Sequence, residues 1–131
     1  MNIHEQEFVE CFVQSARRER VRLGLANPKK RRKFVDEFAH HGTYILAPEC
    51  LRNIKPSLQH PDSIYAILRG LGAPDTCYLV SEDRNFDGKE MELLAALKQI
   101  VGYGMGTVIS CLPGRLGYFE GESRERYILQ K

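Results

Sequence analysis

Two short apolar runs, Cys77–Val80 and Thr107–Leu112, constrain the fold of this chain more than any other feature. Both are rich in β-prone residues and bounded by turn formers. Gly72 and Pro74 precede the first, and Pro113-Gly114 follows the second. They read as buried strands. Between them, Asp87 and Glu90 have capping-box spacing ahead of Leu93, Leu94, Leu97, Ile100 and Val101, which predicts a helix over 87–101. A strand–helix–strand crossover of this kind predicts that strands 76–82 and 107–112 are parallel neighbours.

Helical periodicity organises the N-terminal third. Phe8, Val9, Phe12, Val13, Ala16 and Leu23 lie close to one face of a helix over 3–23, with Gly24 as its stop. Asn27-Pro28 is a strong second helix start, and Phe34, Val35, Phe38 and Ala39 carry that helix to Gly42. A loop this short predicts an antiparallel hairpin. Residues 43–47 suit a strand, and Pro48 and Pro56 break the stretch up to residue 60 into loop. Ile64, Ile67, Leu68 and Leu71 then restore the helical period from Pro61. After Pro113-Gly114, Leu116–Glu120 and Arg126–Gln130 read as an antiparallel meander. The expected architecture is α+β: an N-terminal helical hairpin packed on a mixed sheet of four to five strands, in the order αα(β)αβαβββ. Residues 1–131 form one domain, with 1–42 the basic hairpin and 43–131 the sheet portion; the length suits a core that needs no staples.

Charge is distributed less evenly than apolar pattern. The net charge of +2 conceals a window, Arg17 to Lys33, that holds nine of the nineteen Lys and Arg residues and a single acid, Glu19. Arg17, Arg18, Arg20 and Arg22 fall in the last turns of the first predicted helix, where the negative end of the dipole welcomes them. Lys29, Lys30, Arg31, Arg32 and Lys33 occupy the first turns of the second, where the dipole opposes them by a few tenths to ~1 kcal/mol each. Free N–H groups at that helix start add to the positive field. These nine residues are the candidate anion-binding set. Nucleic acid is the first candidate partner and an acidic protein surface the second. No aromatic residue interleaves with the cations, so a stacking platform for single strands is not indicated.

A second candidate site arises from the predicted parallel strands, because ligands gather outside the carboxyl ends of such strands. Glu82 and Asp83 after one strand and Arg115 after the other would suit hydrolase-like chemistry if they converged. Cys11, Cys50, Cys77 and Cys111 show no CxxC pairing and read as small core residues in a reducing compartment. His40 and His41 close the second helix, where cations are stable. No spacing suggests a metal site, and no cofactor is expected. Gly102, Gly104 and Gly106 follow a helix and precede a strand, the reverse of a phosphate-cradling loop; a helix cap and tight turn account for the first, and three glycines in five residues leave close approach of a backbone or a ligand open. The acidic stretch MNIHEQEF is not expected to act as a signal peptide. Gln99–Gly114, the longest uncharged run, is too short for a bilayer. A cytoplasmic binding protein is therefore the leading expectation, with a small enzyme and a protein–protein adaptor as alternatives.

Overall fold

Asn2 and Asn27 start the first and third helices as side-chain caps. Asn2 accepts from the Glu5 N–H at 2.9 Å and Asn27 from the Lys29 N–H at 3.0 Å. A computed structural model describes all 131 residues. Its helices are α1 (Ile3–Phe12), α2 (Arg18–Ala26), α3 (Pro28–Ile45), α4 (Pro61–Gly70) and α5 (Leu93–Ile100). Its strands are β1 (Leu51–Asn53), β2 (Thr76–Ser81), β3 (Glu90–Glu92), β4 (Thr107–Leu112), β5 (Leu116–Glu120) and β6 (Arg126–Gln130).

The helix expected over 3–23 is two helices. Val13 is extended (φ −95°, ψ 139°) and bridges Leu46, while the Gln14 side chain donates to the carbonyls of Tyr44 (2.8 Å) and Leu46 (3.1 Å). A 3₁₀ turn over Ser15–Arg17 then leads into α2. Arg17 to Arg22 consequently stand at the start of a helix, so the dipole does not account for them. Gly24 and Gly42, expected as helix stops, lie inside α2 and α3 and serve packing. A Cβ at Gly24 would come within 2.6 Å of Phe34, and one at Gly42 within 2.4 Å of Phe119. Residues 43–45, expected as strand, continue α3 beyond a kink at His41 (φ −126°, ψ 24°).

The sheet has six strands in the order β1-β6-β5-β4-β2-β3, and every neighbouring pair is antiparallel. This corrects the expected parallel pairing of strands 76–82 and 107–112. The cause is β3. Glu90–Glu92 forms an edge strand against Thr76–Tyr78, so the chain reverses once before α5 begins. The crossover through α5 therefore joins β3 to β4, which share a direction but sit on opposite flanks of β2. Asp87 and Glu90 accordingly form no capping box, since Glu90 is in a strand and α5 starts at Leu93.

Helices cover both faces of the sheet. Tyr78, Val80, Val108, Phe119 and Leu129 pack under α1–α3 with Phe8, Phe12, Val35 and Phe38. The alternate residues Cys77, Leu79, Ile109, Tyr118 and Ile128 pack under α4 and α5 with Ile64, Leu68, Leu93 and Leu97. A sheet buried on both sides reads as continuous apolar runs whatever its strand directions, which is why β2 and β4 lack alternation. No helix is long and apolar enough to cross a membrane.

Candidate functional site

Asn27 and Pro28 set the phase of α3, and that phase divides the basic run between its two flanks. Arg31 and Arg32 face the sheet. The Arg31 guanidinium is bidentate to Asp87, with Nε to Oδ2 at 2.9 Å and Nη2 to Oδ1 at 3.0 Å. Its Nη1 donates to Glu5 at 3.0 Å. Glu5 is almost wholly buried on α1 and also accepts from the Tyr78 hydroxyl. Arg32 donates to the carbonyls of Ser81 (3.1 Å) and Glu82 and lies 3.6 Å from both Asp36 and Asp87. A single network thus ties α1, α3, β2 and the loop after β2.

Titration follows from this geometry. Hydrogen bonds donated to Asp87, opposed by burial and aided by Glu5, raise the Arg31 guanidinium above its ordinary value. Burial pushes the Asp87 carboxyl up, but the bonds from Arg31 and the Ser81 N–H outweigh it and hold Asp87 below the ordinary aspartate value. Burial, together with the Glu5 carboxylate, pushes the Tyr78 phenol up to about 12. Arg31 and Arg32 are therefore structural cations, compensated within the fold, and they leave the anion-binding set.

Three of the remaining cations have partners on the hairpin. Arg18 donates to the Val13 carbonyl at 3.1 Å, Arg20 pairs with Glu37 at 3.3 Å, and Arg22 pairs with Glu10 and, at 3.7 Å, Glu19. Arg17, Lys29, Lys30 and Lys33 are exposed and make no side-chain hydrogen bond or ion pair within the chain. Lys30 and Lys33 border a groove between α2 and α3 with Leu23, Gly24, Arg20, Phe34 and Glu37. Arg17 borders its continuation, a recess of about 210 Å³. Lys29 lies on the adjoining outer surface with Lys33 and His40.

The expected strand-end site does not assemble. Ser81 of β2 is paired with Thr107, the first residue of β4, so Glu82 lies near the start of β4. Arg115 lies in the turn beyond Leu112, at the far end of the same strand. Glu82 and Arg115 thus occupy opposite ends of the sheet and share no crevice. Asp83 is a loop residue whose carboxylate accepts from the Asn85 N–H at 2.9 Å. Glu82 accepts from the Gly106 N–H at 2.6 Å; burial raises its carboxyl, opposed by that N–H and aided by the neighbouring Glu122 carboxyl. His40 Nδ1 lies 2.7 Å from Glu122.

Cys111 is buried on the α4–α5 face, and burial raises its thiol, which disfavours the nucleophilic thiolate. His4 lies across the sheet, sharing a 2.7 Å hydrogen bond with Ser110. Side chains of His, Cys, Asp and Glu form no group of three suited to a metal ion.

The glycine loop after α5 cradles an anion, but an internal one. Glu120 is fully buried and accepts from the N–H groups of Gly102 (3.0 and 3.1 Å) and Gly104 (3.0 Å) and from the Tyr118 hydroxyl (2.8 Å). Gly106 meets the other half of the expectation, backbone approach: a Cβ there would lie 2.2 Å from that of Ala39 on α3.

Two functional candidates escape the linear pattern. Tyr44 and His41 reach the hairpin groove from the last turns of α3, with ring centroids 6.3 Å apart. Tyr44 is 69% exposed. Lys30, Lys33, Glu37, His41 and Tyr44 succeed one another at intervals of three or four residues, so extending the helix past Gly42 would have placed all five on one stripe. No protein-family model matches this chain, and neither a curated protein nor a solved structure matches it.

Proposed function

We propose that the α2–α3 face binds an anionic partner, with nucleic acid the first candidate. The carrying observation is that Arg17, Lys29, Lys30 and Lys33 remain exposed and unpaired after every other cation of the basic window has found a partner. Lys29 and Lys30 stand in the first turn of α3, where the helix dipole makes them costly, and an external phosphate would offset that cost. The second reading, an acidic protein surface, draws on Leu23, which is 61% exposed beside the same cations.

Binding through phosphates has a measurable signature. Affinity for an oligonucleotide should fall steeply between low and physiological salt. The quadruple change Arg17→Gln, Lys29→Gln, Lys30→Gln and Lys33→Gln should flatten the log–log salt slope by about 3 units, at roughly 0.7–0.9 per lost contact. Circular dichroism should show the variant folded, because none of the four has a partner in the fold. Salt-independent binding, or wild-type binding by the quadruple variant, overturns the reading.

A further inference from the structure

We infer that the recess at the Tyr44 end of the groove takes an unpaired nucleobase, so that the partner of this face is single-stranded nucleic acid. The inference rests on the proposed anion-binding function and adds to it the class of nucleic acid. Arg17, Arg20, Val21, Phe34, Glu37, His41, Tyr44 and Ile45 surround the recess. Its volume, about 210 Å³, falls below the roughly 300 Å³ at which drug-sized ligand pockets begin. The recess itself has room for one small planar ring system. Val21, Phe34 and Ile45 make an apolar floor, and the Tyr44 ring stands beside it largely in solvent, contributing little to the core.

Charge decides what enters. Glu37 lies inside both the recess and the adjoining groove, with its Oε2 paired to Arg20 at 3.3 Å and its Oε1 without a partner in the chain. That second oxygen can accept from the exocyclic amine of cytosine or adenine, while the carboxylate disfavours a phosphate or an acidic side chain beside it. Unpaired cations flank the pair: Arg17 at the recess, and Lys30 and Lys33 along the groove. The arrangement therefore holds a neutral ring with amine donors, with its phosphates on the surrounding cations. Lys30 and Tyr44 are fourteen residues apart on one helical stripe, roughly 20 Å along the axis, a length that a short single strand can track. A duplex keeps its bases stacked inside and offers this recess nothing.

Anisotropy titrations with labelled oligocytidine, oligouridine and a hairpin duplex of equal phosphate count test the inference, with cytidine monophosphate and a polyglutamate peptide as competitors. Oligocytidine should bind more tightly than both oligouridine and the duplex. Tyr44→Ala should weaken oligocytidine binding by about 5- to 100-fold and leave the duplex unchanged, while Tyr44→Phe retains the affinity. Because Tyr44 is exposed, both variants should fold. Equal binding of duplex and single strand with a normal salt slope, or a silent Tyr44→Ala, overturns the base site and leaves the phosphate-binding face standing. Indifference between cytidine and uridine overturns the role of Glu37 and with it the base site as argued. Cytidine monophosphate competing as well as the oligomer assigns the recess to free nucleotides, and complete displacement by polyglutamate assigns the groove to protein; each overturns the inference. Absence of any salt-dependent binding removes the underlying function as well.

Discussion

Arg31 and Lys30 are adjacent in the chain, alike in charge and opposite in role. Arg31, on the inner flank of α3, is held by carboxylates twenty-six and fifty-six residues away in sequence, Glu5 and Asp87. Lys30, on the outer flank, touches no acid at all. Like charge at neighbouring positions thus produces a structural fastening on one side and a free binding surface on the other. A cluster of charge is evidence of a site only after the fold has claimed its share. Arginine suits the inner position because its planar fork matches two oxygens of Asp87 at once, which an ammonium cannot do.

Breaking the inner flank should have the largest effect. Arg31→Gln leaves the buried Glu5 without a cation and Asp87 with only Arg32 at 3.6 Å, and removing one partner of such a group costs about 3–5 kcal/mol. Arg31→Lys should recover only part of this, whereas Lys30→Gln should leave the denaturation midpoint nearly unmoved. A pH scan reads the same network from the other partner. Asp87 titrates below its ordinary value of 3.8 in the folded state. Its stabilising contribution is therefore complete above that value and is lost as pH falls through the lower folded one. Asp87→Asn should already lack that contribution at neutral pH and should show a shallower acid loss. Equal stability of Arg31→Gln and Lys30→Gln in urea would end the distinction between the flanks.

The contact that seats the inner flank offers a sharper, smaller test. Gly106 lies where any Cβ would collide with Ala39 of α3. Gly106→Ala should push α3 off the sheet at a cost of about 1–3 kcal/mol, as overpacking does. Ala39→Gly removes the obstructing methyl group but leaves the Ala39 Cα, which the new Cβ would approach within 2.5 Å. The double variant should therefore recover only part of the Gly106→Ala loss, a coupling that a double-mutant cycle measures. Strict additivity would mean that the Ala39 methyl group takes no part in seating α3.

How much of this could be read from the sequence depended on how local the deciding interaction was. The starts of α1 and α3 and the buried strands β2, β4, β5 and β6 rest on caps, periodicity and turns, all within a few residues. The edge strand β3 escaped because it is three residues long and mostly exposed, with no alternation to display. Missing it reversed the inferred direction of β4 and created a catalytic crevice that does not exist. The break after Phe12 has no glycine or proline to announce it; Gln14 secures it through carbonyls thirty and thirty-two residues away. For the site, counting cations singled out the α2–α3 face on which the proposal rests. Charge alone could not separate Arg31 from Lys30, since the distinction is made by Glu5 and Asp87. Asp87 had a local explanation, as a cap, that concealed its real partner.

The outer flank should yield the smallest effect, with the opposite sign. Asn27 is the cap of α3 and Pro28 its first residue, so Lys30 occupies the third helical position. A cation there faces the positive end of the dipole and lies near Lys29 and Lys33. Glutamate at this position reverses the dipole interaction and can also reach back to the Asn27 N–H as in a capping box. Lys30→Glu should therefore raise stability by a few tenths to about 1 kcal/mol at low ionic strength, read as a higher melting temperature. In 1 M salt the Debye length is about 3 Å, and most of the gain should vanish. The same substitution should weaken oligonucleotide binding, because it removes one of the four free cations. A variant that gains stability and loses affinity together marks Lys30 as a residue placed against the interests of its own helix. If Lys30→Glu instead melts lower at low salt, Lys30 has a partner inside the fold, and the two flanks of α3 are not different in kind.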